Sequence, residues 1–372
     1  MKKLKLVTLL GTRPEIIRLS EVIKECDKSF DHVLVHTGQN WDYTLNEIFF
    51  KDLNLRQPNY YLNVVGQHLG ETIGNVISKS YECLVKEQPD AVLILGDTNS
   101  CLSAIAAKRL KIPIFHMEAG NRCFDMNVPE EINRRIVDHT SDINLAYTEH
   151  ARRYLVSEGI NKQYIIVTGS PMYEVLQRNL NKIQNSQVLT NFDVKPKEYF
   201  VLSTHREENV DNEKSLRTLT NTLMDICSTY KKPILFSCHP RTKNALKKFN
   251  IELPSLVKIF EPLGFTDYVK LQMDSFCVLS DSGTLSEESA ILDFPAVLIR
   301  TSTERPEVMD TGHVIFGSLE SNELLTAIGI QTNKGTKLPP PVEYQQDKVS
   351  LKVVNAIASY TSVINRNVWH KS

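Results

Sequence analysis

At 372 residues, with 41 % hydrophobic and 23 % charged residues, the chain has globular composition and is too long for one ordinary core, so two domains are expected. A formal net charge of −1 points to neither nucleic acid nor an acidic membrane surface as partner, and no apolar run approaches the ~20 residues of a membrane span. Seven cysteines without Cys-x-x-Cys spacing, and ten histidines without metal-ligand spacing, point to reduced thiols in the cytoplasm and exclude a structural zinc site.

The basic start Met1-Lys2-Lys3 followed by a short apolar run imitates a signal peptide, but no small-residue cleavage site follows, so residues 4–10 read as a first buried strand. It runs into Gly11-Thr12-Arg13-Pro14-Glu15, where a helix begins with proline at a tolerated first-turn position. The dinucleotide fingerprint and the phosphate loop are both missing here, and Arg13 and Arg18 bring positive charge instead. Surface helix arginines are the plainer alternative. Residues 32–37 form a second strand ending at Gly38-Gln39. Gly66, Gly70 and Gly74, four apart, suggest close packing of a helix rather than a ligand site. Residues 90–95 are continuously apolar, as in a parallel strand covered on both faces, and end in Gly96-Asp97-Thr98. After a helix near 101–110, the next strand (112–117) delivers Glu118-Ala119-Gly120. Two neighbouring strands thus place carboxylates Asp97 and Glu118 at the carboxyl edge, where open α/β sheets bind ligands; a lone acid there is usually a helix cap. Pro129 starts another helix, in which Glu130 and Arg134, and Glu131 and Arg135, have the spacing of surface ion pairs.

Residues 143–147 and 164–168 close the first strand series, and Gly169-Ser170-Pro171 reads as a hinge. A second series follows: 199–203 into Thr204-His205-Arg206, 233–237 into Cys238-His239, 257–260 into Glu261-Pro262-Leu263-Gly264, and 276–279 into Ser280-Asp281-Ser282-Gly283-Thr284. A strand that turns into a helix at Ser282-Gly283-Thr284 aims several unpaired N–H groups at one spot and suits an anion, although an ordinary N-cap gives the same pattern. Glu287 and Glu288 in the first turns repel phosphate but accept from hydroxyls. A diphosphate on the N–H groups with a ribose on Glu288 satisfies both, which describes a nucleotide-sugar site. The last helix, from about 349 to 364, is long enough to return to the first domain. The expected domains are therefore 1–170 completed by 349–372, and 171–348.

The motifs Gly11-Thr12-Arg13-Pro14-Glu15, Gly96-Asp97-Thr98, His116-Met117-Glu118-Ala119-Gly120, Pro129-Glu130-Glu131-Ile132-Asn133-Arg134, His205-Arg206, Ser280-Asp281-Ser282-Gly283 and Thr303-Glu304-Arg305-Pro306-Glu307 occur in this order. Over nearly its full length the chain resembles the non-hydrolysing UDP-N-acetylglucosamine 2-epimerases. Within them it is similar to the capsule and O-antigen branch that makes UDP-N-acetyl-L-fucosamine from its talose-configured C2 epimer. The resemblance implies an α/β fold of two Rossmann-like domains with parallel sheets facing across a cleft (the glycosyltransferase-B fold), a homodimer, a UDP-sugar substrate and no cofactor. It places Arg13, Arg18, His205, Ser282, Gly283, Thr284, Glu288 and Arg305 on UDP, with Leu263 and Tyr268 by the uracil. Asp97, Glu118 and Glu130, with Arg134, surround the sugar. Gln39 and His239 join the substrate contacts, and His205 joins the three carboxylates as catalytic. Ser-Asp-Ser-Gly-Thr stands where the family commonly has Ser-Asp-Ser-Gly-Gly, and Arg18 where it has lysine. The loop Asn121-Arg122-Cys123-Phe124-Asp125 departs from the glucosamine-type pattern.

The chemistry agrees with this. The C2 proton of a sugar is not acidic. With no dinucleotide fingerprint for transient oxidation, the remaining route is to expel UDP from C1, form a C1–C2 unsaturated sugar, and add UDP back after protonation on the other face. A glycosyltransferase of the same fold, a hydrolysing relative, UDP-N-acetylglucosamine as the substrate, and a sensor without turnover stay open on sequence.

Overall fold

The computed structural model describes residues 3–38, 43–204, 206–300, 302–335 and 337–371. The chain divides into two units, 1–178 with 342–372, and 179–341, the division falling inside the helix Met172–Gln184.

The first unit holds a parallel sheet of β1 (Lys5–Leu10), β2 (Asp31–His36), β3 (Tyr60–Tyr61), β4 (Ala91–Leu95), β5 (Ile114–Ala119), β6 (Ile143–Ala146) and β7 (Ile165–Val167), in the order β3-β2-β1-β4-β5-β6-β7. All five residues of β4 are buried, because helices cover both faces of a parallel sheet. On one side Val7, Leu9, Val92 and Ile94 pack with Val76, Leu84, Ala104 and Ala107 of the helices Leu69–Glu87 and Ser103–Arg109. The final helix, Val349–Asn367, lies against the helix Arg13–Ser29. Its first turn is fixed by the Ser350 N–H and hydroxyl, which donate to Glu174 at 2.8 and 2.6 Å.

The second unit repeats the plan with β8 (Phe200–Ser203), β9 (Ile234–Ser237), β10 (Val257–Phe260), β11 (Cys277–Ser280), β12 (Ala296–Ile299) and β13 (Ile315–Gly317), in the order β10-β9-β8-β11-β12-β13. Phe200, Leu202, Phe236, Leu279 and Val297 pack against Leu216, Leu223 and Ile226 of the helix Glu213–Tyr230 and Leu324 and Ile328 of Ser321–Thr332. Both units are thus Rossmann-like α/β, with parallel sheets as expected. In each, strand order reverses once, between β1 and β4 and between β8 and β11. At such a switch point the two loops diverge to opposite faces and leave room for a ligand at the carboxyl edge.

Of the three spaced glycines only Gly70 and Gly74 lie in a helix; a Cβ on Gly74 would meet nothing within 4 Å, so close packing does not explain it, whereas a Cβ on Gly66 would strike Glu71. The turn Gly169-Ser170-Pro171 lies within the first unit, among residues of the returning C-terminal segment. Gly169 has φ +85° and backs onto Gln346, the Ser170 N–H donates to the Glu343 carbonyl at 3.0 Å, and Lys352 donates to the Thr168 carbonyl at 3.0 Å.

Candidate active site

At the switch point of the first unit the turn after β1 and the turn after β4 are tied together by Glu15. This carboxyl is 1 % exposed and accepts from the Gly11 N–H (2.9 Å), the Thr12 hydroxyl (2.8 Å), the Thr98 hydroxyl (3.2 Å) and the Ser100 hydroxyl. Burial pushes its pKa up against those four donors. Arg13 opens the helix here, half-buried, and Arg18 lies one turn further on, buried and ion-paired with Glu118. The sequence reading named Glu15 only as part of a motif; its partners at residues 98 and 100 lie far along the chain.

Glu118 does not follow β5 but lies inside it. The register with β6 shifts between Met117 and Ala119, and Glu118 takes φ +66°, the left-handed region that a non-glycine residue enters at a cost of roughly 1–2 kcal/mol. A β-bulge of this kind re-aims a side chain and is concentrated at functional edges. The Glu118 carboxylate accepts from Arg18 and, at 3.2 Å, from the Asn121 amide.

Asp97, in the turn after β4, accepts from Arg134 Nε at 2.7 Å and keeps about a quarter of its side chain exposed (26 %). Crowding by protein raises its pKa. Arg134 opposes that, and the charges of Glu118 and Glu130 add to it. Glu118 and Glu130 are therefore both close enough for their charges to act on Asp97, although the three come from a strand end, a strand bulge and a helix start.

The helix Pro129–Thr140 does not make the expected Glu130–Arg134 surface pair. Arg134 is buried and divided between Asp97 and Glu131 (2.9 Å), because its fork reaches two acids at once. Glu131 is fully buried and also takes Arg135 at 3.4 Å and the Cys123 N–H at 3.1 Å. Glu130 makes no hydrogen bond or ion pair among the described residues and is half-buried.

In the second unit the turns after β8 and β11 are joined by Asp281, fully buried, which accepts from the Thr204 hydroxyl (2.7 Å), the Arg206 N–H (3.0 Å) and the Asn209 amide (3.1 Å). The helix Thr284–Leu292 begins next to it. Its N-cap is Gly283, with no side-chain cap; the Ser282 and Thr284 hydroxyls hydrogen-bond to each other at 3.0 Å. A Cβ on Gly283 would collide with the Glu304 carboxylate, which Arg300 holds at 2.6 Å, so what approaches this glycine is a side chain of the same unit. Arg305 pairs with Glu287 at 3.1 Å, both buried, while Glu288 accepts from Gln272 at 2.8 Å. Leu263 and Tyr268 are half-buried at the start of Phe265–Asp274. His239 caps the helix Pro240–Lys248, its Nδ1 accepting from the Arg241 N–H at 3.2 Å, which accounts for a histidine at that strand end. Gln39 and His205 lie outside the described residues. Among the described residues no cluster of three His, Cys, Asp or Glu could hold a metal ion, and no helix is long and apolar enough to cross a membrane.

The family profile described as UDP-N-acetylglucosamine 2-epimerase matches residues 24–358. The chain belongs to the UDP-N-acetylglucosamine 2-epimerase family. It is 40 % identical to the UDP-N-acetylglucosamine 2-epimerase of Methanocaldococcus jannaschii over 89 % of this chain and 93 % of that one. A structure of that archaeal enzyme in complex with UDP-GlcNAc and UDP matches with a TM-score of 0.90 over 95 % and 99 % of the two chains. The Rickettsia bellii UDP-N-acetylglucosamine 2-epimerase is 48 % identical, with a TM-score of 0.93 over 99 % and 100 %. The UDP-2,3-diacetamido-2,3-dideoxy-D-glucuronate 2-epimerase of Pseudomonas aeruginosa is 33 % identical over 85 % and 89 %. As a member of this epimerase family the chain is an isomerase that epimerises a UDP-sugar at C2.

Proposed function

We propose that the chain interconverts UDP-2-acetamido-2,6-dideoxy-L-talose and UDP-N-acetyl-L-fucosamine by elimination and re-addition of UDP. The observation that carries the mechanism is the group Asp97, Glu118 and Glu130, whose charges interact at Asp97. In the first half one carboxylate takes the C2 proton, the C1–O bond to UDP breaks, and its electrons leave with UDP as the C1–C2 double bond forms. In the second half a proton is given to C2 from the opposite face and UDP adds to C1. Acids on different elements suit delivery to two faces. The raised pKa of Asp97 suits a group that exchanges a proton with the substrate. At the edge of the second unit, the start of Thr284–Leu292 with Ser282, Gly283, Glu288 and Arg305 would hold the UDP.

The choice of sugar draws on the loop after Glu118. Arg122 is buried, donating to Asp138 at 2.7 Å and Glu158 at 2.6 and 2.8 Å, while Phe124 and Met126 stand 61 % and 57 % exposed. The loop thus turns its charge inward and its apolar side chains outward, which favours a 6-deoxy sugar's methyl over CH₂OH by ~1–3 kcal/mol. Phe124 also meets Tyr154 edge-on at 5.2 Å, so part of its role is to pack the loop.

UDP-N-acetylglucosamine, giving UDP-N-acetylmannosamine, is the second reading, favoured by the names of the Rickettsia and Methanocaldococcus relatives. The Pseudomonas relative bears the name of a different sugar at 33 % identity, so family membership alone does not fix the substrate. Measuring kcat/KM for both sugars on one preparation decides between them; a clear preference for UDP-N-acetylglucosamine overturns the first. Turnover in deuterated water without added NAD should place deuterium at C2. Retention of the original hydrogen there would refute elimination for either sugar.

A further inference from the structure

We infer that Asp138, which lies outside the carboxylate group, is a positioning residue that sets the aim of Glu118 and the turn carrying Asp97; this rests on the catalytic reading of those two acids. Glu118 occupies the left-handed bulge of β5, and its neighbours two residues away on each side are both held by Asp138. On one side His116 Nδ1 lies within hydrogen-bond distance of Asp138 Oδ1, at 2.8 Å. On the other the Gly120 N–H donates to Asp138 Oδ2 at 3.1 Å. A bulge closed from both flanks by one carboxylate cannot relax toward ordinary strand geometry without breaking a buried hydrogen bond.

The clamp extends to the neighbouring strand. His116 Nε2 donates to the Gly96 carbonyl at 2.9 Å, the peptide immediately before Asp97. Both ring nitrogens of His116 face acceptors, so its two bonds run in series from Asp138 to the β4 turn. Arg122 NH1 adds a third donor to Asp138 Oδ2 at 2.7 Å, fixing the loop after the bulge. Asp138, His116 and Arg122 are each 1 % exposed, so water cannot replace a lost partner. Gly120 has φ +83°, and any Cβ there would strike the Ala151 carbonyl, so the turn has no alternative path. One acid on the helix Pro129–Thr140 therefore orients Glu118 and, through a histidine, the main chain before Asp97.

The test is Asp138→Asn, with His116→Gln as a second variant that cuts the link to Gly96 while leaving Asp138 in place. Each should lower kcat by on the order of 10–100-fold, the cost of misplacing a reacting group by about 1 Å. UDP affinity by calorimetry should remain within about threefold of wild type, since neither residue belongs to the expected UDP contacts. The isotope effect on kcat with substrate deuterated at C2 should also rise, because proton abstraction becomes slower relative to release; a merely structural loss would lower the amount of active protein and leave that ratio unchanged. Normal kcat in both variants, or a kcat loss with an unchanged isotope effect, overturns the inference. Glu118→Gln in the same series separates the two layers: an active Glu118→Gln removes the catalytic reading, whereas an inactive one beside a normal Asp138→Asn removes only the positioning role.

Discussion

Acidification should weaken the N-terminal unit through one histidine. His36 ends β2, is 1 % exposed, and accepts from the Gly38 N–H through Nδ1 at 2.9 Å. Burial pulls its pKa down from 6.5 to about 4. The unfolded ring takes up a proton near 6.5 and the folded ring resists until about 4, so stability is intact above 6.5 and is lost as pH falls through that window. At pH 5 the unfolded ring is almost fully protonated and the folded one only about one-tenth, a difference of about 2 kcal/mol that grows to about 3.4 kcal/mol below both values. His36→Asn keeps an acceptor for Gly38 but has no proton to gain. Denaturant unfolding of both proteins at pH 7.5 and pH 5 isolates the effect. Contributions from Glu15 and Asp97, whose raised pKa values act in the opposite direction, and from His32 and His313, also lowered, cancel in the comparison. The variant should lose about 2 kcal/mol less than wild type on acidification. Equal losses in the two proteins would refute the reasoning.

Asp97→Asn, Glu118→Gln and Glu130→Gln should each reduce turnover by ~10²-fold or more while UDP still binds, on the scale typical of lost proton transfer; near-normal rates in all three would remove the catalytic group. Gly283→Ala forces the added Cβ into the Glu304 carboxylate and displaces the start of Thr284–Leu292, so UDP affinity should fall on the order of 10-fold, and titration calorimetry showing no change would move the UDP seat elsewhere. Glu15→Ala leaves the buried donors of Gly11 and Ser100 without their acceptor and should cost about 2–5 kcal/mol of unfolding free energy, a loss below about 1 kcal/mol in denaturant titration being the contrary result.

What could be read from the sequence follows from how local each signal was. The buried parallel strands were legible because residues such as 91–95 must be apolar on both faces, and the turn bearing Asp97 followed directly from where that run stops. The bulge at Glu118 was not legible, since glutamate has no preference for positive φ and the shift depends on the pairing of β5 with β6. Spacing of four made Glu130–Arg134 look like a helical ion pair, but Asp97, thirty-seven residues earlier, and the buried Glu131 take the guanidinium instead. The Ser282-Gly283-Thr284 turn reads in sequence as an anion seat; the group found beside Gly283 is Glu304, from a loop whose placement no local pattern encodes. Likewise the turn at Gly169 has the composition of a joint, and its contacts with residues 343 and 346, which return to it, are not encoded locally.

The carboxyl edges of the two units differ in the charge each would offer a ligand. In the first unit Arg18 is engaged with Glu118 and Arg134 with Asp97 and Glu131, so its buried arginines serve to hold acids in place. With Glu15 and Glu130 added, carboxylates outnumber cations around the switch point, and such an edge suits the uncharged sugar better than a diphosphate. In the second unit Arg300 pairs with Glu304 and Arg305 with Glu287. Besides Arg305, that edge would offer an anion a helix beginning without a side-chain cap, with the Ser282 and Thr284 hydroxyls beside it. Donors of this kind hold a leaving diphosphate by direction rather than by net charge. That is the property the proposed elimination would require, with UDP released from C1 and yet close enough to return.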